Sequence, residues 1–110
     1  MTALRVCGVE DVAVSSARRV ELDGVAIAVV KDSEGTIHAI GDACTHGDIS
    51  LSDGFVEEDG IECWAHGSRF DLRTGKPHNL PAYEPVPVYA VEIRDGDVYV
   101  DPSVTLQVTE

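Results

Sequence analysis

The sequence predicts an all-β fold, an antiparallel sandwich or small barrel built from short strands. No stretch carries sustained helical periodicity of apolar residues. Short runs rich in β-branched residues recur instead, and Val25 to Lys31 is the strongest of them. Gly and Asp-Gly turn signals separate these runs at close intervals.

In chain order, Leu4 to Val9 reads as a first strand, and Glu10 to Ala13 as a single helical turn. Arg19 to Leu22 is a short strand that turns at Asp23-Gly24 into the core strand Val25 to Lys31. Asp32 to Gly35 is a hairpin loop, from which Thr36 to Ile40 returns. Phe55 to Glu57 and Ile61 to Trp64 flank the turn Glu58-Asp59-Gly60, and Ser68 to Leu72 is a further strand. Val88 to Arg94 and Val98 to Asp101 pair across Asp95-Gly96-Asp97. The tail from Ser103 to Glu110 alternates Val104, Leu106 and Val108, the pattern of an extra edge strand or a frayed end. Two stretches fit no strand. One runs from Gly41 to Gly54, and the other from Ala65 to Pro87 with Pro77, Pro81 and Pro85 inside it.

With 110 residues, the chain is expected to form a single domain. It carries 20 acidic and 8 basic residues, a formal charge of −12. That balance argues against nucleic acid and against an anionic membrane surface, both of which attract Lys and Arg. It suits solubility, or docking to basic patches on protein partners. The longest apolar run, Val25 to Val30, is too short to cross a bilayer, and no signal segment is visible. A soluble, cytoplasmic protein is expected. Three cysteines, an odd number, fit a metal or redox role better than a disulfide framework.

The chemistry sits in the two non-strand stretches. The first holds Cys44-Thr45-His46 and the second opens just after Cys63-Trp64, at Ala65-His66; 16 residues separate His46 from Cys63. Each pair brings one thiolate and one imidazole together on a tight turn. Thiolates suit iron in sulfide clusters, and imidazole is a neutral, weaker donor. Two thiolates on one iron and two imidazoles on the other make a cluster less negative than an all-Cys one, with a higher potential. A mononuclear zinc site is the competing reading, because two Cys and two His also suit zinc. Zinc fingers usually place both Cys on one knuckle, whereas each knuckle here mixes the two types.

Cys44-Thr45-His46-Gly47 and Cys63-Trp64-Ala65-His66-Gly67-Ser68-Arg69-Phe70, followed by Thr74-Gly75-Lys76, resemble the two cluster-binding boxes of Rieske proteins. The flanking β pattern extends the resemblance over nearly the whole chain. The match is to the Rieske ferredoxins that serve bacterial ring-hydroxylating, non-haem iron oxygenases. The resemblance implies a Rieske fold, a β core with a cluster-binding β subdomain inserted at about residues 41–87. It implies one [2Fe–2S] cluster per chain, with Cys44 and Cys63 on the inner iron and His46 and His66 on the outer one. Gly47, Trp64, Gly67, Ser68 and Pro81 would surround it, Pro81 through the loop Leu80-Pro81-Ala82 that covers the cluster in the family. Respiratory Rieske boxes add a disulfide-forming cysteine at the positions of Ile49 and Ala65, and a Tyr at that of Phe70. Fewer hydrogen bonds to sulfur imply a potential near the low end of the Rieske range, around −150 mV.

The implied role is a one-electron carrier, not an enzyme. It would run between a flavin-containing ferredoxin reductase and a terminal oxygenase, and act as a monomer. A catalytic oxygenase subunit needs a second iron site of two His and a carboxylate. Beyond the boxes only His38 and His78 remain, and neither a phosphate loop nor a nucleophile elbow is present. The alternatives are a small subunit of another redox system, such as nitrite reductase or iron–sulfur assembly, and a structural zinc module for protein binding. Small nitrite reductase subunits often lack the ligands, and all four are present here. Cys7 is expected to be a small core residue.

Overall fold

Strand Val25–Lys31 lies between two cores because both of its faces are apolar. Ile27 and Val29 point into one hydrophobic core, and Ala28 and Val30 into another. A strand buried on both sides reads as a continuous apolar run, which is why this one stood out in the sequence. The computed structural model describes residues 3–22, 24–42, 50–57, 60–64, 69–77 and 86–105.

The strands are β1 (Leu4–Gly8), β2 (Ser16–Leu22), β3 (Val25–Lys31), β4 (Ile37–Gly41), β5 (Phe55–Val56), β6 (Gly60–Glu62), β7 (Arg69–Asp71), β8 (Val88–Arg94) and β9 (Asp97–Thr105). Six of them form one antiparallel sheet in the order β1-β9-β8-β4-β3-β2. The remaining three form a small sheet in the order β5-β6-β7. The chain leaves the large sheet after β4 and rejoins it beside the same strand as β8, where Ile40 pairs with Val88. Everything between is an insertion carrying the small sheet. Gly41 and Pro87 close its neck, with the Gly41 amide donating to the Pro87 carbonyl at 2.8 Å.

The two cores divide the labour. Cys7, Val12, Ile27, Val29, Ala39, Tyr89, Val98 and Val100 fill the core on one side of the large sheet. Ala28, Val30, Ile40 and Val88 face the other way, against Leu51, Ile61, Cys63, Phe70, Leu72 and Val86 of the insertion. Cys7 is 3 % exposed, and burial pushes its thiol pKa up, so it packs as a small apolar residue as expected.

Several expectations shift at their edges. The helical turn is a 3₁₀ turn at Val9–Asp11, tied back by the Asp11 carboxylate accepting from the Gly8 amide at 2.8 Å. β2 begins at Ser16 rather than Arg19, because pairing with Lys31 across the hairpin extends it beyond its alternating residues. The last strand does not stop at Asp101, and 103–105 are not a separate edge strand; β9 runs on to Thr105. Pro102 has no amide to donate, so a break was the natural reading. The ladder absorbs it through an irregularity, with Ala90 opposite Asp101 and Tyr89 opposite Thr105. The rest of the tail, residues 106–110, lies outside the described residues.

The β3–β4 hairpin is held by Asp32. Its carboxylate accepts from the amides of Glu34 and Thr36, each at 2.9 Å, and contacts the His38 ring at 2.9 Å. Burial raises this carboxyl's pKa, but the bonds from His38, Thr36 and Glu34 outweigh it and leave the pKa below its ordinary value. A depressed carboxylate contributes stability that is complete above its unfolded pKa of about 3.9 and is lost as the pH falls through the folded value. Asp32→Asn is therefore expected to lower the urea midpoint at pH 7 and to approach the parent chain in acid, as the pH falls below the unfolded value of about 3.9 and through the depressed folded one. Equal differences at pH 7 and in acid would exclude this account.

Candidate metal centre

Of the four ligand candidates, Cys63 lies among the described residues. Cys44, His46 and His66 lie outside them, as do Gly47, Gly67, Ser68 and Pro81, and also His78. The described residues are those that frame the two ligand-bearing segments, and they bring the two frames together.

Cys63 follows β6 and is 0 % exposed, packed in the core with Leu51, Ile61 and Phe70. Its position follows from the strand: Ile61 points inward, Glu62 outward, and Cys63 inward again. The next residue, Trp64, is 53 % exposed. So the chain turns from core to surface within one step, just before His66. Phe55, opposite Glu62 on β5, is also exposed. On the far side of 65–68, β7 starts with Arg69, whose guanidinium lies 3.3 Å from Glu57 and 3.8 Å from Glu62. Phe70 then enters the core and is 0 % exposed.

The exit of this segment is held by a turn. The Asp71 carboxylate accepts from the amides of Arg73 at 2.7 Å and Thr74 at 3.0 Å. Gly75 donates to the Asp71 carbonyl at 2.8 Å, and its φ of +76° is the left-handed conformation that glycine adopts without strain. Val86 in turn donates to the Gly75 carbonyl at 2.8 Å.

The first segment, 43–49, is bounded by Asp42 and Ser50. Leu51 follows in a 3₁₀ turn, Leu51–Asp53, is 0 % exposed, and shares the core with Cys63. The closest approach is at Gly54. A Cβ there would lie 2.0 Å from the backbone oxygen of Glu62, the residue before Cys63. Only a residue without a side chain lets the end of the first frame sit flush against the start of the second.

These observations fit a cluster held between two segments. The buried Cys63 supplies a thiol screened from water, and the exposed Trp64 marks the step from core to surface immediately after it. The chain leaving the first stretch abuts the strand that leads into Cys63, at Gly54 and Glu62. Sequence reasoning did not single out Asp42, Ser50 or Gly54. Gly54 was read only as the end of the non-strand stretch from Gly41, and Asp42 was one acid among 20. The available signal was their position, within the stretch that carries Cys44 and His46.

Residues 2–90 match the Rieske [2Fe–2S] domain family. The ferredoxin CarAc of Metapseudomonas resinovorans is 40% identical over 97 residues, covering 88% of this chain and 91% of that one. Among solved structures, the ferredoxin of carbazole 1,9a-dioxygenase from Nocardioides aromaticivorans IC177 superposes with a TM-score of 0.87 at 32% identity, over 93% of this chain and 99% of that one. A carbazole 1,9a-dioxygenase ferredoxin, oxidised and in complex with its reduced oxygenase, matches at a TM-score of 0.83 and 39% identity, over 89% and 91%. Among the described residues, no helix is long and apolar enough to cross a membrane. With a matching family over most of its length, and relatives of its own size that are ferredoxins, this chain belongs to the Rieske [2Fe–2S] domain family, as a ferredoxin that carries one cluster.

Proposed function

We propose that Cys44, His46, Cys63 and His66 hold the cluster, with the thiolates on the inner iron and the imidazoles on the outer one, and that residues about 41–87 form the cluster-binding part of the single domain. The protein accepts one electron at a time from a flavin-containing ferredoxin reductase and delivers it to a terminal oxygenase. It works as a soluble monomer in the cytoplasm. The observation that carries this reading is the abutment of Gly54 on Glu62, which sets the chain leaving the first ligand-bearing stretch against the strand that leads into Cys63.

The cluster, when bound, supplies a one-electron couple. The chain supplies the rest. Cys63 is buried among apolar side chains, which keeps water from one side of the site. Trp64 and Phe55 present exposed aromatic surface beside the ligand segment, and such surface suits transient docking. The net charge of −12 favours a partner with a basic face and speeds encounter at low salt. The carbazole dioxygenase ferredoxin known in complex with its oxygenase supports a terminal oxygenase as the acceptor here. Phe70 is buried and has no hydroxyl to donate toward a ligand sulfur, which supports a low potential.

The test is iron and sulfide analysis with EPR of the dithionite-reduced protein, followed by protein-film voltammetry. Two irons and two sulfides per chain, a Rieske-type signal and a potential around −150 mV are expected. A colourless protein holding one zinc would overturn the reading. A potential well above zero would overturn the argument from Phe70.

A further inference from the structure

Asp42 is 2 % exposed, and its partners lie farther away in the chain than those of the buried Asp32. A buried carboxylate is costly unless donors surround it. Asp32 draws its donors from its own hairpin, within residues 34–38. Asp42 draws them from elsewhere. Its carboxylate accepts from the Ser50 hydroxyl and from the Ser52 amide at 2.9 Å, and Arg19 Nε of β2 lies at 3.2 Å. The Ser50 and Ser52 hydroxyls lie 2.8 Å apart. The backbone joins in: the Leu51 amide donates to the Asp42 carbonyl at 2.5 Å, and the Asp42 amide donates to the Ala26 carbonyl of β3 at 3.1 Å.

Asp42 and Ser50 are the residues on either side of 43–49, the segment that contains Cys44 and His46. The carboxylate therefore ties the departure of that segment to its return, and Arg19 ties both to the large sheet. Closing a loop has an entropic cost. Where the fold closes it in advance, ligand binding does not have to.

We propose that Asp42, through Ser50, Ser52 and Arg19, is a positioning residue that clamps the two ends of the first ligand-bearing segment and sets how firmly the cluster is held. This rests on the assignment of Cys44 and His46 as ligands. The clamp acts on retention of iron more than on the stability of the sheets, because β2, β3 and β4 also pair through a backbone ladder that does not need the carboxylate.

The experiment compares the cluster-loaded parent with Asp42→Asn, Asp42→Ala and Ser50→Ala, and uses Asp32→Asn as a control carboxylate outside the insertion. Visible absorbance follows the cluster and far-UV circular dichroism follows the sheets during one thermal ramp. Iron loss to an excess of chelator is timed at 25 °C, and EPR g-values are recorded. In Asp42→Ala, iron loss is expected to accelerate at least about tenfold, as fits the loss of hydrogen bonds to a charged acceptor. Colour should bleach at a lower temperature than the sheets melt. Ser50→Ala, the mildest change, should show the same order of events to a smaller degree. Asp32→Asn should move both transitions together. Variants at Asp42 and Ser50 whose iron loss is unchanged, or whose colour and sheet transitions shift in step, would overturn the clamp. A parent protein without iron and sulfide would instead overturn the ligand assignment beneath it.

Discussion

Cys63→Ser is expected to yield protein that carries almost no iron or sulfide, lacks the visible band and gives no EPR signal on reduction. A serine hydroxyl has an alkoxide pKa far above that of a thiol, and it is a hard, weak donor to iron in a sulfide cluster. The site offers no relief, since Cys63 is 0 % exposed and a hydroxyl there enters a core lined by Leu51, Ile61 and Phe70. Cys7→Ser is the matched comparison. Cys7 is also buried, but in the core on the opposite side of the large sheet, with Val98 and Val100. That variant is expected to lose roughly 1–3 kcal/mol of stability and to keep its full iron content. A cluster retained in Cys63→Ser, or missing from folded Cys7→Ser, would remove Cys63 from the ligand set.

Gly54→Ala has the second large effect. The added methyl would sit 2.0 Å from the Glu62 carbonyl oxygen, 3.1 Å from its carbon and 3.2 Å from the Leu51 carbonyl oxygen. All three are backbone atoms, so no side-chain rotation relieves the clash. Either β6 moves away from the Leu51–Asp53 turn or the turn moves away from β6. The expected penalty is at the upper end of overpacking costs, about 3 kcal/mol or more. The melting temperature should fall by roughly 15 °C, given a few degrees per kcal/mol for a domain of this size. Because the displaced backbone leads straight into Cys63, iron content should fall as well. Gly24→Ala separates a clash from a general glycine effect. Gly24 has φ +79° and open space where a Cβ would go, so the cost there is backbone strain alone. If Gly54→Ala proved no worse than Gly24→Ala, the close approach would not be what requires glycine at 54.

The strand Val25–Lys31 was legible because burial on both faces leaves nothing for polar residues to do. The hairpin at Asp95-Gly96 was legible because its turn needs positive φ, which Asp95 and Gly96 both adopt. The ligand candidates were legible because cluster chemistry demands thiol and imidazole at short spacing, a pattern that needs no knowledge of the fold. β2 was read too short because pairing with β3, not its own alternation, recruits Ser16 to Arg18. β9 was read too short because Pro102 ends a strand in isolation, whereas a partner strand can tolerate it at an irregular point of the ladder.

What the sequence by itself determined is the local chemistry: which residues can bind iron, which segments prefer extended backbone, and where the chain turns. These are properties of single residues and their near neighbours. Only the tertiary structure decided which acid among 20 became buried as the tie between Ser50, Ser52 and Arg19, and which glycine had to admit a carbonyl oxygen. Asp42 meets Arg19 across the β2–β3–β4 meander, and Gly54 meets Glu62 across the β5–β6 pair, because pairing sets residues of different strands side by side. A contact made across that pairing leaves no mark on either residue alone.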